Sequence, residues 1–346
     1  MRPFQYERAD SAEAAIRAHG VARDDNRGTP SARAPSQYLA GGTTLIDLMR
    51  LDVMQPERVT DINALARTVS GRIEMGPNGL RLGAMVRMSQ AADNADVKEH
   101  FPAIAQSLQL AASAQIRNMA SLGGNVLQRT RCTYFRDTSY TACNKRNPGS
   151  GCAAIDGVNR SLAVLGTNEH CIASYAGDFA HALIALDATV EMLGPSGSRT
   201  LPFAKLHKPL GDTPHIETTL QPGELITAFM IPAKPWAKRS LFLKIRDRES
   251  YEFALASAAV ALDLEGGADG NVRDIRIALG GVSALPWRAY EAEAALKGKA
   301  LSDAALNAAA DVAFAQARPM SDNAFKVELG KRTLIRAVRQ AVSMTI

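Results

Sequence analysis

The sequence predicts an α+β protein, and three observations carry that reading. A strand, a glycine turn, an amphipathic helix and a second strand follow one another over 37–62, which is a small β-loop-α-β unit. Two strand-like runs flank Gly76-Pro77-Asn78-Gly79, which is hairpin chemistry. In the last third, three strand runs come first and three helical runs follow, the segregated order of an α+β domain.

Taken in order, residues 3–8 (PFQYER) read as a short strand, and Asp10 with Glu13 as a capping-box start for a helix over 11–19. A polar loop rich in Pro, Gly and Arg spans 21–36. The strand QYLA (37–40) runs into Gly41-Gly42-Thr43-Thr44, then the helix LIDLMRL (45–51) and the strand RVTDI (58–62). The hairpin GRIEM-GPNG-LRLGAMV (71–86) precedes helices over about 88–94 and 102–114. AQIRNMASLGGN (114–125) reads as a glycine-bearing loop ahead of a cysteine region at 127–172. A helix follows at FAHALIALD (179–187), then strands at TVEML (189–193) and ITAFMIP (226–232). Lys234-Pro235-Trp236 suggests a domain edge near 237. Beyond it come strands at 240–247, 253–264 and 272–282, with helices over 290–296, 302–317 and 325–343. No internal repeat or low-complexity tract is visible.

The composition narrows the function classes. A chain of 346 residues, 46% apolar and 22% charged, has the balance of a soluble globular protein with room for two or three cores. Its net charge of +5 is spread among interleaved acidic residues, so no basic arm offers itself to nucleic acid. No run approaches the ~20 apolar residues of a membrane helix, and the longest candidate, 253–264, is broken by serine. MRPFQYERADSAEAA lacks an apolar signal core. The expectation is a chain without a signal peptide of its own, periplasmic if exported with a partner and cytoplasmic otherwise.

Two glycine loops carry the first chemical signal. Gly41-Gly42-Thr43-Thr44 lies between a strand and a helix, where glycines let backbone approach a phosphate and successive amides can point at it. The threonine hydroxyls and the helix N-terminus add donors. Ser121-Leu122-Gly123-Gly124-Asn125 repeats the pattern about 80 residues on. Two such loops suit a dinucleotide with a pyrophosphate between them; two unrelated tight turns are the plain alternative. Neither a G-x-G-x-x-G fingerprint nor a Walker lysine is present.

All four cysteines, Cys132, Cys143, Cys152 and Cys171, fall within 40 residues, spaced x10, x8 and x18. Four thiolates in one region suit zinc or an iron–sulfur cluster. Structural zinc sites usually use C-x2–4-C pairs, which are absent here, so the wide spacing favours a cluster held by a wrapped loop. Zinc, a pair of disulfides and free thiols remain the alternatives. The intervening residues are polar and turn-rich, with little periodicity, and a bound centre would help to order them.

The stretches AGGTTLIDLM (40–49), AQIRNMASLGGNVLQ (114–128), GELITAFMIP (223–232) and FLKIRDRESYEFA (242–254) resemble the flavoprotein subunit of the xanthine dehydrogenase and carbon monoxide dehydrogenase family, the molybdenum hydroxylases. The likeness spans essentially the whole chain, and IRNMASLGGN is its most specific part. It implies an FAD-binding domain of the p-cresol methylhydroxylase type, with two α/β subdomains, over 1–236. A C-terminal α+β domain of the carbon monoxide dehydrogenase flavoprotein type is implied over 237–346. The cysteine insertion at 127–172, with RTRCTYFRDT and CNKRNPGSGCAA, is most similar to that of the [4Fe-4S]-carrying flavin subunits of bacterial periplasmic aldehyde oxidoreductases.

By this resemblance Gln37, Tyr38, Leu39, Ala40, Gly41, Gly42, Thr43, Thr44 and Leu45 match the segment that wraps the FAD pyrophosphate. Ser121, Gly123, Gly124 and Asn125, with Arg117 and Asn118 ahead of them, match the second phosphate- and ribityl-facing loop. Asp178 matches an aspartate that contacts the polar chain of the flavin, and it could equally serve as a helix N-cap. Ser174-Tyr175-Ala176-Gly177 stands before it where relatives often have His-Pro-Ser. Ile226 matches an apolar residue against the isoalloxazine and Lys244 a basic residue near it; a solvated strand lysine is the alternative. Cys132, Cys143, Cys152 and Cys171 match the ligands of one [4Fe-4S] cluster. No catalytic residue is expected.

The function implied is that of an FAD- and [4Fe-4S]-containing electron-transfer subunit of an aldehyde oxidoreductase. Its partners would be a [2Fe-2S] small subunit and a molybdenum-cofactor large subunit, in a heterotrimer or a multiple of one. The rivals are a flavin subunit of a 4-hydroxybenzoyl-CoA reductase-like complex and a zinc-stabilised scaffold without redox function. The histidines are scattered and form no ligand pair. His170, beside Cys171, reads as a solvated loop residue.

Overall fold

The structure is a computed structural model that describes residues 1–21, 31–267 and 270–346. Three sheets build it. Strands β1 (Gln5–Arg8), β2 (Ser36–Leu39) and β3 (Arg58–Asp61) form a parallel sheet in the order β1-β3-β2. Strands β4 (Ile73–Gly76), β5 (Gly79–Gly83), β6 (Thr189–Gly194), β7 (Gly197–Pro202) and β8 (Leu225–Pro232) form an antiparallel sheet ordered β4-β5-β8-β6-β7. Strands β9 (Ser240–Ile245), β10 (Ala256–Leu264), β11 (Val272–Gly280) and β12 (Trp287–Arg288) make the last sheet, β12-β11-β10-β9, also antiparallel.

The burial of each strand follows from what covers it. β6 alternates buried and half-buried residues, as a strand with one covered face should. β10 is buried for seven consecutive residues, Ala256 to Leu262, because both of its faces are covered. Ala259 and Ala261 join the main core with Phe242 and Phe179, whereas Ala258, Val260 and Leu262 face the C-terminal helix Phe325–Val342 through Leu334, Ala337 and Val338. The small alanines let helices approach from both sides.

The α+β expectation holds in the observed architecture, with local differences. The first helix, Ala12–Val21, is capped by Ser11, whose Oγ accepts the Ala14 amide at 3.1 Å, rather than by Asp10. The stretch 114–125 is not a loop. It is two short helices, Ala114–Met119 and Leu122–Val126, opened by Ser113 and Ser121, whose hydroxyls accept the Ile116 and Gly124 amides at 3.3 and 3.2 Å. Serine capping offsets the cost of the glycines there. The helix expected over 102–114 ends at Gln109, ahead of Ala112 with φ of 51°, and Ala95–His100 adds a helix capped by Asn94. The helix expected over 302–317 ends at Ala313. Strand β7 (GSRTLP) is hidden in the sequence by its lack of apolar alternation, Leu201 being its one side chain that packs against the main core. Part of the polar loop over 21–36 lies outside the described residues.

The cysteine insertion has only one short helix, Thr133–Arg136, yet it is not coreless. Phe135, Tyr134, Leu162, Ile172 and the cysteines pack with Leu45, Leu48, Met49 and Val59. Arg146, buried, donates to the carbonyls of Tyr134 (2.8 Å), Phe135 (2.6 Å) and Tyr140. Apolar residues without periodicity thus supply more order than the sequence suggests. Among the described residues no helix is long and apolar enough to cross a membrane.

Lys326 ties the last helix to this insertion. It is fully buried, and its Nζ donates to the carbonyls of Ser161 (3.0 Å), Leu162 (3.1 Å) and Gly281 (2.7 Å). Lys326→Met keeps the aliphatic stem but leaves three carbonyls without this donor. We expect a loss of about 3 kcal/mol, read as a lowered urea midpoint.

Candidate cofactor sites

The two glycine loops meet. A Cβ added to Gly41 would fall on the Met119 carbonyl and 2.9 Å from Ala120 Cα, so only glycine lets the first loop lie against the second. Gly42 takes φ of +74°, which turns the chain into the helix Leu45–Arg50. Among the described residues, no backbone carbonyl accepts the amides of Thr43, Thr44 or Leu45, so they can turn to a ligand. Thr44 sits at the N-cap without using its hydroxyl as a cap.

Two residues that the sequence reading missed staple this junction. Asn63 Nδ2 donates to Ala40 O at 2.9 Å, Arg87 Nη2 donates to Asn63 Oδ1 at 2.8 Å, and Arg87 Nη1 donates to Met119 O. Isolated polar residues just past strand ends carry no motif, so only the fold exposes this role. In the second loop, Gly123 donates its amide to Ala84 O at 2.8 Å. A Cβ there would press on Ala84 at 3.0 Å. Gly124 is exposed beside the junction. Asn125 Nδ2 reaches Met88 Sδ at 3.3 Å, but its Oδ1 is buried without a hydrogen-bond partner among the described residues. An orphaned acceptor at the end of this loop fits a ligand hydroxyl.

Other expected residues have structural duties. Tyr38 OH donates to Gly223 O at 2.9 Å and its ring lies 4.8 Å from that of His19, so it anchors β2. Leu39 packs against the cysteine insertion and Ala40 on the opposite side, while Leu45 is buried. Gln37 is half-buried on β2. Arg117 Nη1 donates to Ala111 O (2.9 Å) and Ala112 O (3.2 Å), holding the left-handed turn there, and Asn118 is exposed. Ile226 lies half-buried on β8 at a bulge in its pairing with β6, next to Thr227, whose carbonyl accepts the Ala84 amide.

Asp178 stands at the N-cap of the helix Phe179–Ala185, yet its side chain makes no cap bond. It accepts from Lys244 Nζ at 2.6 Å instead, with the side chains only 5% and 2% exposed. The solvated-lysine alternative therefore falls. Burial pushes the Asp178 carboxyl upward, while Lys244 and Arg246 pull it down. Lys244 also donates to Leu110 O at 3.1 Å, which links the pair to the turn that Arg117 holds. Asp178 lines a cleft with Tyr175, Gly177, Arg131, Phe253 and Gly281 that encloses about 860 Å³ of empty space, part of it open to solvent.

Two buried histidines back this wall. His207 Nε2 and Tyr175 OH both donate to Val126 O, at 2.9 and 3.0 Å, and so fix the C-terminal end of the helix Leu122–Val126. Burial pushes His207 down to about 4 and His181 down to about 3. The unfolded chain takes up these protons near pH 6.5, whereas the fold refuses them until about pH 4 and pH 3. Their stability is present in full above pH 6.5 and lost as the pH falls, at about 1.4 kcal/mol per unit for each group. Urea titrations between pH 4 and 7 should show that slope, and His207→Gln should make it shallower; an unchanged slope would contradict the assignment.

The four cysteines line one cavity with Tyr134, Phe135, Ala142, Asn144, Lys145, Ala154, His170 and Ala173, enclosing about 280 Å³ of empty space. None is in a disulfide. Among the described residues no His, Cys, Asp or Glu group is gathered closely enough for a metal ion. Backbone amides turn to the sulfurs: Tyr134 and Phe135 toward Cys132, Lys145 and Arg146 toward Cys143, and Ala173 toward Cys171 at 3.5 Å. Burial still pushes the Cys132 and Cys171 thiols up to about 12 and about 11. His170 is partly exposed between Glu169 and Asp212.

Comparison with known proteins places this geometry. Residues 2–234 match the FAD binding domain in molybdopterin dehydrogenase, and residues 242–341 match the CO dehydrogenase flavoprotein C-terminal domain. The chain is 42% identical over 343 residues, 99% of both chains, to the aldehyde oxidoreductase FAD-binding subunit PaoB of Escherichia coli. It is 27% identical to the glyceraldehyde dehydrogenase medium chain of Sulfolobus acidocaldarius, over 92% of this chain and 90% of that one. Its fold resembles a chain of carbon monoxide dehydrogenase from Hydrogenophaga pseudoflava with a TM-score of 0.74 and 26% identity, covering 98% of this chain and 97% of that one. Both halves, the joined glycine loops and the near-complete alignment agree: the chain belongs to the FAD-binding medium subunits of the molybdenum hydroxylase family of oxidoreductases.

Proposed function

We propose that this chain is the FAD- and [4Fe-4S]-carrying electron-transfer subunit of a molybdenum-dependent aldehyde oxidoreductase. Its partners in this reading are a [2Fe-2S] small subunit and a molybdenum-cofactor large subunit. The observation that carries the reading is the convergence of four free, largely buried cysteines on one cavity, in a chain whose two flavin loops touch at Gly41. The 42% identity to an aldehyde oxidoreductase subunit supports the substrate class. The wide spacing of the cysteines favours a cluster over zinc, whose structural sites usually take their thiolates as C-x2–4-C pairs.

In this reading residues 1–236 form the flavin unit, with the cluster insertion at 127–172, and 237–346 the C-terminal unit. The amides of Thr43, Thr44 and Leu45 and the Ser121–Asn125 turn hold the pyrophosphate and ribityl chain. Asn125 Oδ1 accepts a ligand hydroxyl, Asp178 and Lys244 form a fixed polar wall, and Ile226 offers an apolar surface. Cys132, Cys143, Cys152 and Cys171 ligate the cluster. When bound, FAD supplies a two-electron store and the cluster a one-electron site, chemistry that belongs to the cofactors. The chain itself binds, orients and shields them, and no residue of it touches the aldehyde.

The test is co-expression with the two partner subunits. Under anaerobic conditions, aldehyde should bleach the flavin absorption of the complex and leave that of the isolated chain unchanged. Aldehyde turnover by the chain alone, or a complex whose flavin ignores aldehyde, would refute the proposal.

A further inference from the structure

A buried charge cluster beside the four-cysteine cavity has no part in the roles above. Glu217 Oε1 accepts from Lys145 Nζ at 2.8 Å, and Glu217 Oε2 pairs with Arg129 Nε. Lys145 and Arg129 are only 6% and 8% exposed as side chains, and Glu217 is 20% exposed. Lys145 also donates to Pro214 O at 3.1 Å. Lys145 lines the cysteine cavity directly, and Arg129 stands behind its wall, the guanidinium 4.9 Å from the centroid of the Phe135 ring that lines it. On its far side the cluster meets His207, which lines the neighbouring cavity with Glu217 and Tyr175.

Two cations share one carboxylate here, so the group carries an unbalanced positive charge. Burying such a charge is costly, and a buried ion pair seldom stabilises a fold by itself. The four thiols cannot balance it while they stay protonated. A group in the cavity that is held by thiolates and negative overall can. The positive charge beside the sulfurs then has an electrostatic use, since surrounding charge and hydrogen bonds set the potential of an iron–sulfur centre.

We propose that Glu217 is a positioning residue for the [4Fe-4S] site: it holds Lys145 at the cavity and Arg129 behind its Phe135 wall and, through its own charge, limits how far they raise the reduction potential of the cluster. The inference rests on the cluster reading above. It makes opposite predictions for two substitutions, which a purely structural role does not. Glu217→Gln keeps an acceptor for Lys145 but removes the anion, so the reduced, more negative cluster is favoured and the midpoint potential rises. Lys145→Met removes a cation and leaves a balanced Glu217–Arg129 pair, so the potential falls. Glu217→Asp, which restores the charge, should return the potential toward that of the parent protein.

The experiment is an EPR-monitored redox titration of the full chain in its complex, with iron and sulfide measured on each sample. Shifts of opposite sign for Glu217→Gln and Lys145→Met support the proposal. Iron-loaded variants that keep the parent potential, or that shift in the same direction, overturn it and leave the cluster reading standing. If Glu217→Gln fails to assemble, Lys145→Met decides alone: a lowered potential supports the proposal, and any other result overturns it. A parent protein without iron and sulfide overturns both readings at once.

Discussion

Gly41→Val should yield a folded chain that has lost most of its FAD. The new Cβ would overlap the Met119 carbonyl and sit 2.7 Å from its carbon, contacts that only backbone movement relieves. The collision lies between the two flavin loops rather than in the core, so the loops must part. Overpacking of this kind costs about 1–3 kcal/mol, which corresponds to roughly tenfold to hundredfold weaker binding if it falls on the ligand-binding conformation. Asn63 and Arg87 hold the loops together from behind and oppose the separation, so strain is added to misplacement. The check is FAD released on denaturation, per chain, together with a circular dichroism melt. Full flavin content in a stable variant would mean that the loops do not jointly hold the cofactor.

Cys171→Ser should remove the cluster and leave the flavin. Cys171 is buried at the closing edge of the insertion, with the Ala173 amide on its sulfur and Lys145 nearby. Serine is a poor ligand for iron, and three remaining thiols do not complete the site. Iron should fall from about four per chain to a small fraction of that. The insertion packs on Leu45, Leu48 and Met49, and Arg136 Nη2 donates to Asp47 Oδ2 at 2.9 Å. Loosening should therefore reach the helix behind the first flavin loop, visible as faster amide exchange over 127–172 and about 45–50. The Gly41–Met119 contact and the Asn63–Arg87 staple lie outside the insertion, so most FAD should remain. Metal binding of this kind contributes directly to folding, and the variant should also melt at a lower temperature.

The sequence reading located most strands, because period-2 patterning and turn residues state them locally. β7 was missed because GSRTLP has no apolar rhythm and depends on its partner β6 for its place. The two helices at 114–126 look like loop in the sequence because each is only five or six residues long and the second carries two glycines, which obscure the serine caps that open them. At the site, glycine pairs and clustered cysteines were legible because few other roles demand them. Tyr38 and Arg117 were grouped with the ligand residues by position in the chain, yet their polar atoms are engaged by backbone on other elements. Asn63, Arg87 and Glu217 went unread. Each acts across more than 20 positions of sequence, and no local spacing records such a contact. The Asp178–Lys244 pair shows both sides of this: the residues were named, but their mutual burial came from the fold.

The central claim, that one chain of this family carries both a flavin and an iron–sulfur cluster, is tested most directly by cofactor stoichiometry. The full chain should be purified anaerobically, and its FAD, iron, acid-labile sulfide and zinc measured on one sample. The account predicts about one FAD with about four iron and four sulfide per chain. Stoichiometric zinc without sulfide, or two disulfides joining Cys132, Cys143, Cys152 and Cys171, would contradict it.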